Sequence, residues 1–353
     1  MALTDIDGGR LADNAFTLGK NLVINGKLQV DQYDKSVTSD SFFVDRWKYN
    51  ADAGSKATVQ KDNESPVDFE ESIFVTSSSA YTVPSGETYK IRHCIEGYNI
   101  ARLEFGTANA KTITLSFYVR SSLTGTFGGA LRNSGATRSY PFTYSISSAG
   151  VWERKIVTIA GDTSGTWNVG NGIGIEIDFG LAVGSTFSGT AGSWSSNNYV
   201  SATGATSVLA TNGATWYITG IQLEVGAVAT PFEHRSYGDE LARCQRYYYK
   251  IAAASNDRYF MGQAESSTVF YGIMHAPVTM RTDPTLETSG TATHFKVAYS
   301  TDTTCNAVPT LANSTPNTAL IGGAIVASGL TANQAAMLGS NNASSYLALT
   351  AEL

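Results

Sequence analysis

Hydrophobic and polar residues alternate along much of this chain with a period of two. Ile113, Leu115, Phe117 and Val119 are separated by Thr114, Ser116 and Tyr118, and Ile173, Ile175, Ile177 and Phe179 by Gly174, Glu176 and Asp178. The pattern returns at 151–159 and 217–225, and in short form at Ala101, Leu103 and Phe105. Successive side chains of a strand point to opposite faces, so each run reads as a half-buried antiparallel strand. Gly/Ser/Thr/Asn-rich connectors, 121–129 and 184–192 among them, separate the runs. Short strands punctuated in this way predict an all-β chain built on a β-sandwich or jelly roll. No repeat of 20–50 residues is present, which excludes a solenoid or propeller.

Around residue 236 the pattern changes. Ser236 is placed to cap a short helix over 236–244, with Asp239 and Glu240 in its first turn, and 245–252 returns to strand. Further apolar runs follow at 268–274, 294–298 and 346–353. At 353 residues the chain has room for two domains. The expected division is an N-terminal arm over 1–20, for attachment or contact between subunits, a sandwich over 21–233, a helix-strand connector over 234–250 and a smaller β-rich domain over 251–353.

Composition narrows the chemistry. Hydrophobic residues make up 42% of the chain, enough for packed cores, while charged residues are only 15%. The net charge is −6 and the basic residues are scattered, so a nucleic-acid surface is not expected. Cys94, Cys244 and Cys305 have neither disulfide nor zinc spacing and read as buried thiols. The first sixteen residues lack the apolar core of a signal peptide, and the apolar run 319–330 is too short for a membrane span of about 20 residues. Synthesis in a reducing cytoplasm, without membrane insertion, fits these features.

Tests for catalysis fail. There is no H-E-x-x-H, no G-x-S-x-G and no P-loop, and the four histidines are far apart. The run 170–174 reads as a tight turn. Glu176 and Asp178, two apart on one strand, share a face. They read as a solvent-facing polar stripe, with an acid/base pair or a calcium site as alternatives; no cofactor is expected, and no motif supports structural calcium. Trp194, beside Asn197, Asn198 and Tyr199 in a Gly/Ser loop, has the chemistry to stack on a sugar and take its hydroxyls. The alternative is that Trp194 folds back over the sandwich. Trp167 is a second loop candidate, whereas Trp47, Trp152 and Trp216 fall on strands and read as core or rim.

Four segments resemble a known family. NLVINGKLQV (21–30) with FVDRWK (43–48), then 216–250 (WYITGIQLEVGAVATPFEHRSYGDELARCQRYYYK), then MHAPVTMRTDP (274–284) and SYLALTAEL (345–353), are similar in order to segments of phage tail-fibre and receptor-binding proteins that carry a jelly-roll, carbohydrate-binding-module-like domain. The resemblance implies a jelly roll followed by a smaller C-terminal domain, a homotrimer at the virion's tail, and other phage tail proteins as neighbours. Its implied function is adhesion to host surface polysaccharide or lipopolysaccharide without catalysis. A structural fibre or adaptor, or a glycan-degrading tailspike, are the alternatives. The resemblance carries no residue-level binding signature. Larger fibres of this type have a long anchoring part, so a short fibre, a separate tip or a truncated chain is expected here.

Overall fold

The structure, a computed structural model, describes residues 19–298 and 301–353. Most of the predicted arm, 1–20, lies outside the described residues. Two compact units divide the chain, the first ending at Ser236 and the second spanning Tyr237–Glu352. Among the described residues no helix is long and apolar enough to cross a membrane.

The first unit is a jelly roll. Its strands are β1 (Ser41–Val44), β2 (Trp47–Ala51), β3 (Ala57–Asp62), β4 (Ser72–Ser77), β5 (Thr88–Glu96), β6 (Ile113–Ser121), β7 (Gly125–Arg132), β8 (Ser139–Ile146), β9 (Glu153–Ile159), β10 (Ile173–Val183), β11 (Ser188–Gly189), β12 (Ser201–Ala202) and β13 (Thr215–Val225). One sheet has the order β1-β2-β5-β10-β7-β8 and the other β3-β4-β13-β6-β9, while β11 and β12 form a small parallel pair. The chain crosses repeatedly between the two large sheets, and their facing sides close one core. Phe117 of β6 meets Phe179 of β10 edge-on, with ring centroids 5.1 Å apart, and Trp216 of β13 lies 6.2 Å from Phe179. Trp47 and Trp216 are fully buried, as their strand positions predict.

Alternation misleads at one place. Ala101, Leu103 and Phe105 do not form a strand: a helical turn, α1 (Gly97–Ile100), runs into a 3-10 turn over Ala101–Leu103. Gly97, Ile100 and Leu103, each three apart, are the residues it buries, which is helical rather than extended spacing.

The family-like segments of this unit form one hydrogen-bonded knot. Asn21 Oδ1 accepts from the backbone N–H groups of Val23 (2.9 Å) and Leu223 (3.1 Å), and its Nδ2 donates to Ile221 O (3.1 Å). Asn25 donates to the carbonyls of Val30 and Asp45, and its own carbonyl accepts from Trp47 Nε1 at 3.0 Å. The Glu233 carboxylate closes the knot by accepting from the N–H groups of Gly19 and Asn21. These residues are framework.

The second unit opens with helix α2 (Tyr237–Gln245). A sheet of β14 (Tyr248–Ala252), β23 (Tyr346–Thr350) and β17 (Thr285–Thr288) follows. The other sheet has seven strands: β19 (Asp302–Thr304), β18 (Phe295–Ala298), β22 (Ala335–Ser340), β15 (Arg258–Ala264), β16 (Val269–His275), β21 (Thr318–Ile325) and β20 (Thr310–Thr315), in that spatial order. Phe270, Ile321, Leu338, Leu347 and Leu349 belong to the core of this unit. Cys94, Cys244 and Cys305 are buried.

Candidate functional site

The side of the six-stranded sheet turned away from the core carries the concentrated chemistry of the molecule. On β5, Tyr89, Ile91 and Ile95 belong to the core, so Lys90, Arg92 and Cys94 face outward; on β10, Ile175, Ile177 and Phe179 belong to the core, so Glu176, Asp178 and Gly180 face outward. Register sets Arg92 beside Asp178, Cys94 beside Glu176 and Lys90 beside Gly180, and on the other flank of β10 it sets Arg132 of β7 beside Glu176.

Asp178 is wholly buried and bridged by two guanidiniums: Arg92 Nε donates to its Oδ1 at 2.8 Å and Arg132 Nε to its Oδ2 at 2.9 Å. Arg132 also pairs with Glu176 Oε2, which lies 3.3 Å from Arg92 Nη2. Burial alone would raise the Asp178 pKa, but Arg92, Arg132 and Lys90 outweigh it and hold the group at about 2. Glu176 moves the other way, raised by burial and by the Asp178 charge despite the same two arginines. The polar stripe expected to face solvent is therefore a buried ionic cluster. Burial without a neutralising partner is costly, and each carboxylate here has one.

Both carboxylates, for which the sequence offered an acid/base pair as an alternative reading, are held by arginines. Among the described residues no group of three or more His, Cys, Asp or Glu is placed to hold a metal ion. Burial pushes the Cys94 thiol up to about 12, so it is not a thiolate at neutral pH. His93 is a core group: burial and the Arg46 charge hold its pKa well below the ordinary value, and its Nε2 accepts from the N–H of Ile24.

Beyond the cluster, toward the C-terminal end of β10, the same face carries a pocket of about 270 Å³. Tyr81 and Val83 line one part of it, Gly180, Ala182 and Val183 another, and Ser201, Thr206 and Ser207 of the long loop after β10 a third. The loop lies close because the sheet has glycine beneath it. A Cβ at Gly128 would come within 2.4 Å of Ser201 Oγ, and one at Gly180 within 2.9 Å. Ser207 Oγ is buried without a hydrogen-bond partner. Lys56 Nζ sits 4.1 Å from the centre of the Tyr81 ring, whose hydroxyl donates to Glu87.

The predicted site residues fall elsewhere on this loop and its surroundings. Trp194 is half-buried: its Nε1 donates to Ala160 O at 2.7 Å, and its ring is edge-on to Phe105, Tyr140 and Trp167. Trp167 is buried, with Nε1 donating to Ser164 O and its ring edge-on to Phe105. Both indoles belong to one aromatic cluster, and of the two readings of Trp194 the packed one describes its ring contacts, with part of the side chain still accessible. Asn197 is exposed and donates to the Tyr199 hydroxyl. Asn198 accepts from Arg132 and so joins the ionic cluster. The structure brings Asn198 together with Glu176 and Asp178, and places the pocket on residues that sequence reasoning did not select. One signal was present: Lys90 and Arg92 alternate with Tyr89 and Ile91, which sets two cations on the polar face of a strand.

No protein-family model matches this chain, and no curated protein does. Several solved structures are similar to part of it. The enzymatically active domain of tailspike protein 4 of bacteriophage CBA120 is 13% identical, with a TM-score of 0.35, over 59% of this chain and 22% of that one. The family 11 carbohydrate-binding module of a Clostridium thermocellum cellulosomal cellulase is 15% identical, with a TM-score of 0.27, over 56% and 98%. A family 61 carbohydrate-binding module in complex with β-1,4-galactotriose is 8% identical, with a TM-score of 0.30, over 58% and 99%. This chain thus spans under a quarter of the tailspike structure and nearly all of each binding module. Similarity at this level carries no argument about function, and the jelly roll rests on the strand order described above.

Proposed function

We propose that this protein binds a surface glycan without catalysis, as the adhesive part of a phage tail fibre. The observation that carries the reading is the pocket on the outward face of the six-stranded sheet. It combines an aromatic residue, several hydroxyls, one of them buried and unpartnered, and small apolar residues, which is the mixture that holds a sugar ring and its hydroxyls. The engagement of Glu176 and Asp178 by arginines supports the non-catalytic part. The tail-fibre part rests on the four resembling segments. It brings with it a place in the virion, host polysaccharide or lipopolysaccharide as ligand, and other tail proteins as neighbours.

Assembly as a homotrimer belongs to the same proposal. An exposed apolar row on the seven-stranded sheet of the second unit supports self-association: Met261 pairs with Met337, Ile273 pairs with Leu320, and the Gly262–Gly272 pair sets the two side by side. Several weak sites in one assembly would add avidity.

Ala210 lines the pocket and is exposed, so Ala210→Trp blocks the pocket with little disturbance to the core. The full-length chain is expected to be retained on host surface polysaccharide, and Ala210→Trp to bind at least tenfold more weakly. Undiminished binding by a folded Ala210→Trp protein would remove the pocket from the site.

A further inference from the structure

Fourteen residues line the pocket on the outward face of the six-stranded sheet, and none of them is Lys, Arg, His, Asp or Glu. None is Asn or Gln either, so every polar side chain in the lining is a hydroxyl. Lys56, over the Tyr81 ring, and Glu87, which accepts from the Tyr81 hydroxyl, are outside the lining. A charged ligand group would therefore leave water here without a counter-charge, which is costly. Val83, Ala182, Val183, Ala202, Ala205 and Ala210 supply alkyl surface. An alkyl group on a ligand gains by leaving water against them, whereas a ligand hydroxyl finds no side chain there to pair with.

Ser201 adds a specific polar contact. It is only 1% exposed, it lines the pocket, and its hydroxyl pairs with no protein group among the described residues. The β11–β12 pairing sets it opposite Ser188, another lining residue, and Gly128 and Gly180 leave the room that its Oγ occupies. Ser188 has its own hydroxyl on Gly184 O, at 3.1 Å. Buried hydroxyls are ordinarily hydrogen-bonded, so Ser201 needs a partner from outside the chain.

We propose that the pocket takes one uncharged sugar ring bearing a methyl group, in a 6-deoxy or an acetamido substituent, and that a polar group of this sugar pairs with Ser201. The proposal rests on the glycan-binding reading above and names the class of sugar. The volume, about 270 Å³, is below the roughly 300–1,000 Å³ of pockets that hold drug-sized ligands and suits a single ring. The alkyl residues receive the methyl group, and Ser201 fixes the ring beside it.

The test titrates the full chain against surfaces bearing N-acetylglucosamine, N-acetylgalactosamine, L-rhamnose or L-fucose. Each stands beside the counterpart with a hydroxyl in place of the acetamido group or at carbon 6: glucose, galactose, L-mannose and L-galactose. Glucuronate and galacturonate are the charged probes. At least one methyl-bearing sugar is expected to bind at least tenfold more tightly than its counterpart and than either uronate, and its identity tells the two substituents apart. Ser201→Ala is expected to weaken that binding at least fivefold with the Tm unchanged or raised, because it removes an unpaired buried hydroxyl. A serine with a purely structural role would not lose binding on those terms. Equal binding within every pair, or a uronate bound as tightly as any neutral sugar, overturns the assignment and leaves glycan binding standing. Undiminished binding by Ser201→Ala overturns the role of Ser201. If no probe binds, the assignment falls, and retention of the chain on host surface polysaccharide decides whether the glycan reading falls with it.

Discussion

On the six-stranded sheet of the first unit, the face turned from the core buries Asp178, Glu176, Arg132 and Lys90; on the seven-stranded sheet of the second, the corresponding face leaves Met261 (69% exposed), Ile273 (48%), Met337 (37%) and Leu320 (36%) in solvent. The polarity is the reverse of what each environment would ordinarily select. The difference lies in completeness. The buried charges satisfy one another across three neighbouring strands, so that face is polar and internally closed except at the pocket. The apolar row has no such internal solution, since Met and Ile can be satisfied only by another surface. An outward face can thus be read by asking which of its groups lack partners.

The strongest way to break this comparison is Asp178→Asn. It leaves buried Arg132 and partly exposed Arg92 facing a neutral amide, with Glu176 as their remaining carboxylate, and should cost the first unit about 3 kcal/mol. All five tryptophans lie in that unit, so urea unfolding followed by indole fluorescence reports on it selectively. A loss under about 1 kcal/mol would mean that the cluster is not structural.

A smaller effect follows from acid. The Asp178 pKa is depressed, so its contribution is fully present above the unfolded value near pH 4 and is lost as pH falls through about 2. The expected loss is on the order of 2 kcal/mol, partly offset by Glu176, whose raised pKa favours the folded state on protonation. Unfolding free energies measured from pH 5 to 2 should fall in the wild type and stay flatter in Asp178→Asn. Parallel curves would sever the acid response from this cluster. The smallest expected effect is on the other face. Met261→Gln should change stability by no more than about 0.5 kcal/mol, and should still weaken self-association in native mass spectrometry; a large stability loss would show that Met261 is packed.

Much of this fold is legible because a two-residue period reports burial directly. β6 and β10 each bury their predicted apolar side, and the helix after Ser236 spans Tyr237–Gln245; on β13 a register shift between Thr219 and Gln222 brings Trp216 and Ile218, with Ile221 and Leu223, into the core in place of Tyr217 and Thr219, and Val225 is exposed. The site is less legible. The polar side of β10 reads as solvated, since the groups that bury it, Arg92 and Arg132, lie 86 and 46 residues from Asp178. No local pattern encodes such pairings. The Gly and Ser neighbours of Trp194 leave open whether it stacks on a ligand or folds back over the sandwich, because Phe105, Tyr140 and Trp167, which hold it, come from other segments. Loops take their conformation from the scaffold beneath them, and here that scaffold includes Gly128 and Gly180.

The knot around Asn21 has a consequence for how this protein is made. Asn21 waits for Leu223, 202 residues later, before its buried amide is satisfied. At about 5–20 residues per second, a ribosome needs roughly 10–40 s to deliver that partner. The sandwich can close only after its last strand has emerged, and such long-range closure is slow folding. During that interval the opening segment, with Leu22, Val23 and Ile24, is uncovered on the nascent chain.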